Sequence, residues 1–235
     1  MPNLSPTIDS ILADIVTDWG GVSIEAIAED AAASIAIDTS ATTMIQYWTN
    51  TSNVAVQYAT AYFEFDTSGI TSAPATATLK LYVESITNDG LDFYPCRGFL
   101  ASDGAIVAGD LPAATRAESG GTPDVNNITK YSAIVDVSED ITASAVNNIT
   151  LNATAIADMV SKDRFVIVLL NKWIADQTLG GSTTTRGMHI SSQDHSTSGQ
   201  RPILNYELPA APALPHLFKT KSGIIKLKSG KLIMN

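Results

Sequence analysis

The chain contains little cysteine and little charge. Cys96 is the one cysteine among 235 residues, which excludes an internal disulfide. A buried free thiol is the expectation, with pairing to another chain as the alternative. Asp and Glu number 24 against 14 Lys and Arg, and the net charge of −10 argues against nucleic acid as the main partner. A low-charge sequence rich in Ser, Thr and Ala is typical of extracellular β proteins and of virion proteins.

Long apolar runs are also missing. No stretch approaches the roughly 20 apolar residues that cross a membrane as a helix, so no membrane segment is expected. The first 19 residues have no basic start and carry acidic residues where a secretory signal has its apolar core. Three explanations are open: a truncated sequence, another export route, or synthesis in a host cytoplasm followed by release on virus particles.

Alternation with a period of two dominates residues 58–85. Two such runs flank a Thr-Ser-Gly turn and a Ser-Ala-Pro loop, which predicts a hairpin-like pair of strands with one buried face. Residues 164–171, with the sequence RFVIVLLN, form the most apolar run and are expected to be a central strand. The side chains predicted to face the core from the first two strands are Ala61, Phe63, Phe65, Ala77, Leu79, Leu81 and Val83.

Three segments resemble a known family. Residues 63–70 and 77–83, with the sequences FEFDTSGI and ATLKLYV, are similar to the core of the DNRLRE family, and residues 201–206, RPILNY, are similar to its closing strand. The resemblance extends over roughly residues 35–208. It implies a jelly-roll β-sandwich of the kind found in secreted bacterial proteins, some of which bind polysaccharide. The resemblance also implies that Asp66 accepts hydrogen bonds from backbone N–H groups at a strand-to-turn junction.

The resulting prediction is an all-β protein in four parts. Residues 1–33 are predicted to be a helical arm or docking segment, because Ile8, Ile11, Leu12 and Ile15 have helical spacing after Ser-Pro. Residues 34–208 are the predicted jelly-roll sandwich. Residues 209–215, PAAPALP, are a stiff linker. Residues 216–235 are a basic tail in which Ser-Gly separates two strands of a predicted hairpin.

Exposed aromatic side chains are the candidate ligand contacts. Tyr47 and Trp48 are neighbours, so only one can face inward from a strand, and the other can stack on a sugar ring. Trp173 is the third candidate platform for a glycan.

No catalytic set stands out. His189, Asp194 and His195 lie close together, but nothing fixes the geometry of a triad or of a zinc site. Glu64 and Asp66 share a strand face, which is compatible with glycosidase chemistry, although a structural role for Asp66 is favoured. No cofactor is expected. A structural calcium ion is left open, since hard oxygen ligands are available. The carboxylates considered for it are Asp89, Asp92, Asp103 and Asp110.

The tail reverses the charge of the rest of the chain. Residues 216–235 hold five Lys and no acid, or +5, whereas residues 1–215 hold nine Lys and Arg against 24 acids, or −15. A tethered apolar hairpin is expected to dock onto its own body or onto another subunit. The apolar residues assigned to that contact are Ile224, Ile225, Leu227, Leu232 and Ile233.

Three functions follow from these observations. The first is a non-enzymatic virion component of a bacteriophage, such as a head fibre, capsid decoration or tail-associated protein, which forms a homo-oligomer, most simply a trimer, and contacts other virion proteins and host surface polysaccharide. The second is a carbohydrate-binding module of an extracellular bacterial protein. The third, a polysaccharide lyase or hydrolase, has the least support.

Overall fold

The structure is a computed structural model that describes residues 2–17, 42–49, 55–100, 110, 112–178, 186–210, 219–220, 223–224, 226–228 and 231–233. The strands of the body are β1 (Asn3–Leu4), β2 (Ile8–Thr17), β3 (Thr42–Thr49), β4 (Ala55–Asp66), β5 (Thr76–Thr87), β6 (Phe93–Arg97), β7 (Ala145–Thr150), β8 (Arg164–Asn171), β9 (Arg186–Ser191) and β10 (Ile203–Glu207). The tail strands are β11 (Lys219–Thr220), β12 (Gly223–Ile224), β13 (Lys226–Lys228) and β14 (Lys231–Ile233). The helices are α1 (Val137–Asp140), α2 (Ala153–Ser161) and α3 (Lys172–Ala175).

The ten body strands form antiparallel ladders that fork at β4 and at β5. Strand β4 pairs with β2 on one edge, and its other edge is divided between β3 and β8. Strand β5 pairs with β7 on one edge, and its other edge is divided between β10 and β9. Two four-stranded layers result, β2-β4-β8-β6 and β1-β10-β5-β7, which the β3–β9 ladder connects. The described residues therefore form an all-β, sandwich-like architecture.

The main core lies between these two layers. Phe63 and Phe65 from β4 meet Leu79 and Leu81 from β5, and each is at most 1% exposed. These are side chains that the alternation predicts to face inward. Along β5 buried residues alternate with half-buried ones, as expected for a strand with one face on the core.

A second apolar cluster covers the outer face of the β2-β4-β8-β6 layer. Tyr62, Val166 and Val168 belong to it, together with residues of the segment 91–125 and of α3. Strand β8 is consequently buried on both faces, which confirms its predicted central position. Cys96 is buried in the same cluster, and burial raises the pKa of its thiol to about 12. Residues 59–65 of β4, in contrast with the prediction, are also buried on both faces.

A partly buried ion pair ties α2 to the sheet. Asp158 Oδ2 accepts hydrogen bonds from Arg97 Nε at 2.7 Å and from the hydroxyl of Tyr131 at 2.7 Å. The Tyr131 ring stacks on Phe165 with the ring centroids 5.2 Å apart. The carboxylate is thus paired with a charge and with a neutral donor, as a buried charge requires.

Two sequence predictions are wrong. Residues 8–17 are a strand and not a helix, since every one of them pairs with β4, from Ile8 opposite Glu64 to Thr17 opposite Ala55. Apolar side chains at 8, 11, 12 and 15 fit helical spacing locally, but pairing with a long strand decides the conformation. Residues 18–33 lie outside the described part. The second error is the hairpin: β4 and β5 belong to opposite layers and face each other across the core.

The predicted tail hairpin is present. Strand β13 pairs with β14 in an antiparallel ladder in which Lys228 lies opposite Lys231, on either side of residues 229–230. Strands β11 and β12 form a second pair. Both pairs are two-stranded sheets separate from the ten-stranded sheet.

Candidate functional site

A polar depression of about 160 Å³ lies beside Trp173. Trp173 is on α3, which follows β8 without a connection, and Asn171 caps this helix by accepting a hydrogen bond from the backbone N–H of Ile174 at 2.9 Å. The indole is half-buried against the outer apolar cluster. The other walls come from the turn after β5, the start of α1 and the first residue of β9, so four distant segments build the site.

The turn after β5 fits closely against α1. Gly90 N–H donates to Thr87 O at 3.0 Å, and the two residues between them, Asn88 and Asp89, have positive φ values of 49° and 62°. Asn and Asp tolerate this region best among residues with a side chain. Gly90 itself has φ +70°, and a Cβ there would lie 2.3 Å from Val137 Cγ1. Glycine is therefore required at position 90 for α1 to pack this closely against the turn.

Charged groups of both signs line the depression. Lys172 Nζ lies 2.5 Å from Asp92 Oδ2, and Asp92 Oδ1 accepts from the Val137 N–H at 3.1 Å. Asp136 caps α1 by accepting from Ser138 N–H at 2.9 Å, and the hydrogen bond from the Ser138 hydroxyl holds the pKa of Asp136 below its usual value. These carboxylates are occupied by internal donors, so they shape the site and leave less capacity for a ligand.

Arg186 contributes a guanidinium group to the wall of the depression. Its Nε is buried and has no hydrogen-bond partner within the described part of the chain. An unpaired buried N–H is costly, and because this atom is shielded, a ligand oxygen reaches it only if the surrounding side chains move. An aromatic ring, a guanidinium group and surrounding carboxylates line the depression, and together they suit a ligand with several hydroxyl groups that stacks on the ring.

The three predicted aromatic platforms fall in different places. Trp173 lines the depression. Tyr47 and Trp48 are on β3, where Tyr47 lies opposite Arg186 in the β3–β9 ladder and Trp48 lies opposite Gln57 in the β3–β4 ladder. The backbone at Tyr47 is therefore next to the wall of the depression. Arg186, Asp136 and Ser138 were missed, because no local motif joins residues 50 positions apart.

The carboxylates considered as ligands of a structural calcium ion do not lie together. Asp89 and Asp92 line the depression, Asp110 is fully buried elsewhere, and Asp103 lies outside the described residues. Within the described part, no group of three or more His, Cys, Asp and Glu side chains is arranged to hold a metal ion.

The His189–His195 region forms a structural network. Ser191 Oγ donates to Glu84 Oε1 at 2.9 Å, and His195 Nε2 lies 3.9 Å from the same oxygen. Glu84 thus stands between serine and histidine, in the place that a catalytic base needs to occupy. The loop is held further by Arg201 Nε, which donates to the His195 carbonyl at 2.8 Å.

Asp9 anchors β2 to this loop. Its carboxylate, 7% exposed, accepts from the Gln193 N–H at 2.5 Å. Burial raises the pKa of Asp9 to about 6, the Gln193 hydrogen bond lowers it in part, and the charge of Asp194 raises it further. No local motif indicates this contact, because the two residues are 184 positions apart.

Glu64 and Asp66 have separate structural roles. Glu64 Oε2 accepts from Arg164 Nη2 at 2.6 Å. Asp66 Oδ1 accepts from the backbone N–H of Ser68 at 3.0 Å and from its hydroxyl at 2.6 Å, which is the turn role predicted for it. These hydrogen bonds hold the pKa of Asp66 below its usual value.

Comparison with known proteins leaves the family open. No protein-family model matches the chain, and no curated protein matches it. The resemblance to DNRLRE modules therefore stays a prediction. Among the described residues no helix is both long and apolar enough to pass through a bilayer.

Proposed function

We propose that the chain is a non-enzymatic structural component of a bacteriophage virion, a head fibre, capsid decoration or tail-associated protein, built on a jelly-roll sandwich. The observation that supports this best is the C-terminal tail, whose described strands form two-stranded sheets outside the ten-stranded sheet. An isolated two-stranded hairpin is marginally stable in water. Such strands gain stability by docking, and assembly into a particle provides the docking surface.

Charge supports assembly through the tail. The tail carries +5 and the rest of the chain −15, so tail and body attract each other. Strands β13 and β14 contain the apolar residues Leu227, Leu232 and Ile233, and β12 contains Ile224. Ile225, the fifth residue of the predicted contact, lies outside the described residues. The expected product is a homo-oligomer, most simply a trimer.

Removal of the tail tests this function. Light scattering after gel filtration should give a multiple of the 24.8 kDa chain mass for the full chain and the monomer mass for a chain that ends at Pro209. Circular dichroism must first show that the shorter chain keeps its strand content. Monomers of the full chain at every concentration would refute assembly through the tail.

The depression beside Trp173 favours a second function, the binding of a host or bacterial glycan. Trp173→Ala removes the ring. The affinity measured from retardation in polysaccharide-containing gels should fall about tenfold, as for a central contact residue. Tyr82→Ala, on the outer face of β5, is the matched control and should bind like the parent. Trp48→Ala tests the other predicted platform. Equal binding by the Trp173→Ala variant would exclude this site.

A further inference from the structure

The open side of the sandwich next to β7 contains a groove of about 260 Å³. One wall is β7, an outermost strand of its layer. The other wall is the segment 132–135, which is joined to the opposite layer by hydrogen bonds between Phe93 and Val135 in both directions. Buried residues of the main core, Ile141 and Ile149, form the floor. The groove therefore reaches from solvent to the core between the two layers.

The outer edge of β7 presents unpaired backbone groups. Leu151 N–H donates to Ala77 O at 2.9 Å, and hydrogen-bonded positions alternate along an antiparallel strand. The backbone groups of Val146, Asn148 and Thr150 consequently point away from β5. In the described part of the chain none of them has a hydrogen-bond partner. A free edge of this kind accepts an additional strand.

Apolar and acidic side chains flank this edge. Ile134 is 41% exposed at the groove and Val146 is 45% exposed on β7. Asp140 lines the groove and Glu139 is its exposed neighbour in α1. A strand that fits here needs apolar side chains for the groove and basic ones for its acidic rim.

The tail of this chain has that pattern. Strand β13 reads KLK, in which Lys and Leu alternate, and β14 reads KLI, which adds a further Lys and two apolar residues. Its +5 charge complements the −15 of the body. We propose that the groove beside β7 receives a C-terminal strand from a second copy of the chain, which adds to the free edge of β7. This inference rests on the proposed assembly function and names its receiving surface.

Assembly into a homo-oligomer requires the added strand to come from a second copy. Glu207 at the end of β10 and Thr150 at the end of β7 flank the same end of β5, about 10 Å apart at two strand spacings. The seven residues 209–215 contain three prolines, a composition that favours an extended, stiff segment of about 20 Å. Residues 216–225 add to this reach before β13 begins at Lys226, so the tail can extend to a neighbouring copy, and exchange of an end segment between copies is a common route to oligomers.

Two full-length variants test the groove. Ile134→Lys places a cation against the basic tail, and Val160→Lys makes the same change at a similarly exposed residue of α2 outside the groove. Asn148→Pro deletes one outward backbone donor and leaves the ladder with β5 intact. Ile134→Lys and Asn148→Pro should weaken self-association by about tenfold or more, while the control Val160→Lys should not change it.

Cysteine cross-linking identifies the occupant. Cys96 is buried, so introduced thiols react alone. Val146→Cys chains mixed with chains that carry Lys226→Cys, Lys228→Cys or Lys231→Cys should give a disulfide-linked dimer under mild oxidation. A monomer with an internal disulfide, from Val146→Cys and a tail cysteine in one chain, would overturn the proposal.

The outcomes separate this inference from the assembly function. If the full chain never self-associates, assembly through the tail fails and the groove proposal fails with it. If the full chain assembles, and Ile134→Lys and Asn148→Pro assemble as well as the parent, assembly stands and the groove is excluded as the receiving surface.

Discussion

Asp9→Asn is expected to stabilise the protein at neutral pH. The Asp9 side chain is 7% exposed, and its pKa is raised from 3.8 to about 6, chiefly by burial. Because one pKa unit corresponds to 1.36 kcal/mol, ionised Asp9 costs the folded state about 2 to 3 kcal/mol. Asparagine carries no charge and keeps an oxygen that can accept the hydrogen bond from Gln193.

The pH dependence follows from the direction of the shift. Between pH 3.8 and about 6 the folded state holds a proton on Asp9 that the unfolded state has lost. The contribution of Asp9 to stability is therefore complete below pH 3.8 and is lost as the pH rises through 6. The gain from Asp9→Asn should be near zero at pH 4 and reach about 2 to 3 kcal/mol at pH 7.5.

Urea unfolding followed by tryptophan fluorescence from pH 4 to 8 measures this difference. Asp66→Asn is the control of opposite sign, since hydrogen bonds from Ser68 lower the pKa of Asp66. Its loss of stability should be present throughout this pH range, because the lowered pKa keeps Asp66 ionised in the folded state down to pH 4. A difference between Asp9→Asn and the parent that does not change with pH would refute the reasoning.

Two further variants test local contacts. Gly90→Ala should lower the free energy of unfolding by about 2 to 4 kcal/mol, because the backbone has a positive φ there and a Cβ would lie 2.3 Å from Val137 Cγ1. Gly69→Ala is the control: a Cβ there would have nothing within 4 Å, so thermal or urea unfolding should give a value within about 0.5 kcal/mol of the parent. Tyr131→Phe removes a 2.7 Å hydrogen bond to the carboxylate of Asp158 and should cost about 2 kcal/mol by the same measurement; no change would show that the hydroxyl is dispensable.

The faces of the strands were predictable because alternation is a local signal. Phe63, Phe65, Leu79 and Leu81 point to the core as the period of two requires. Which strands pair is a non-local matter, and here the prediction failed. A run that alternates next to another run suggests a hairpin, yet the nine residues 67–75 between β4 and β5 carry the chain across the core to the other layer.

The double burial of β4 could not be read from its residues. Tyr62 and Glu64 look like an outer, solvent-facing set. Tyr62 is fully buried because α3 and the described residues between 91 and 125 cover this layer, and Glu64 is 7% exposed where it pairs with Arg164. The same holds for the candidate site. Trp173 is predictable as an exposed aromatic residue, but Arg186 and Asp136 lie beside it only because the fold brings distant segments together.

Helix α1 links the two candidate surfaces. Asp136 and Ser138, at its start, line the depression beside Trp173, and Asp140, at its end, lines the groove beside β7. Gly90 fixes where this four-residue helix lies, through its contact with Val137. A displacement of α1 should therefore disturb both surfaces. Gly90→Ala, at a temperature where it is folded, should weaken glycan retention and self-association together, whereas variants confined to one surface should weaken one property alone.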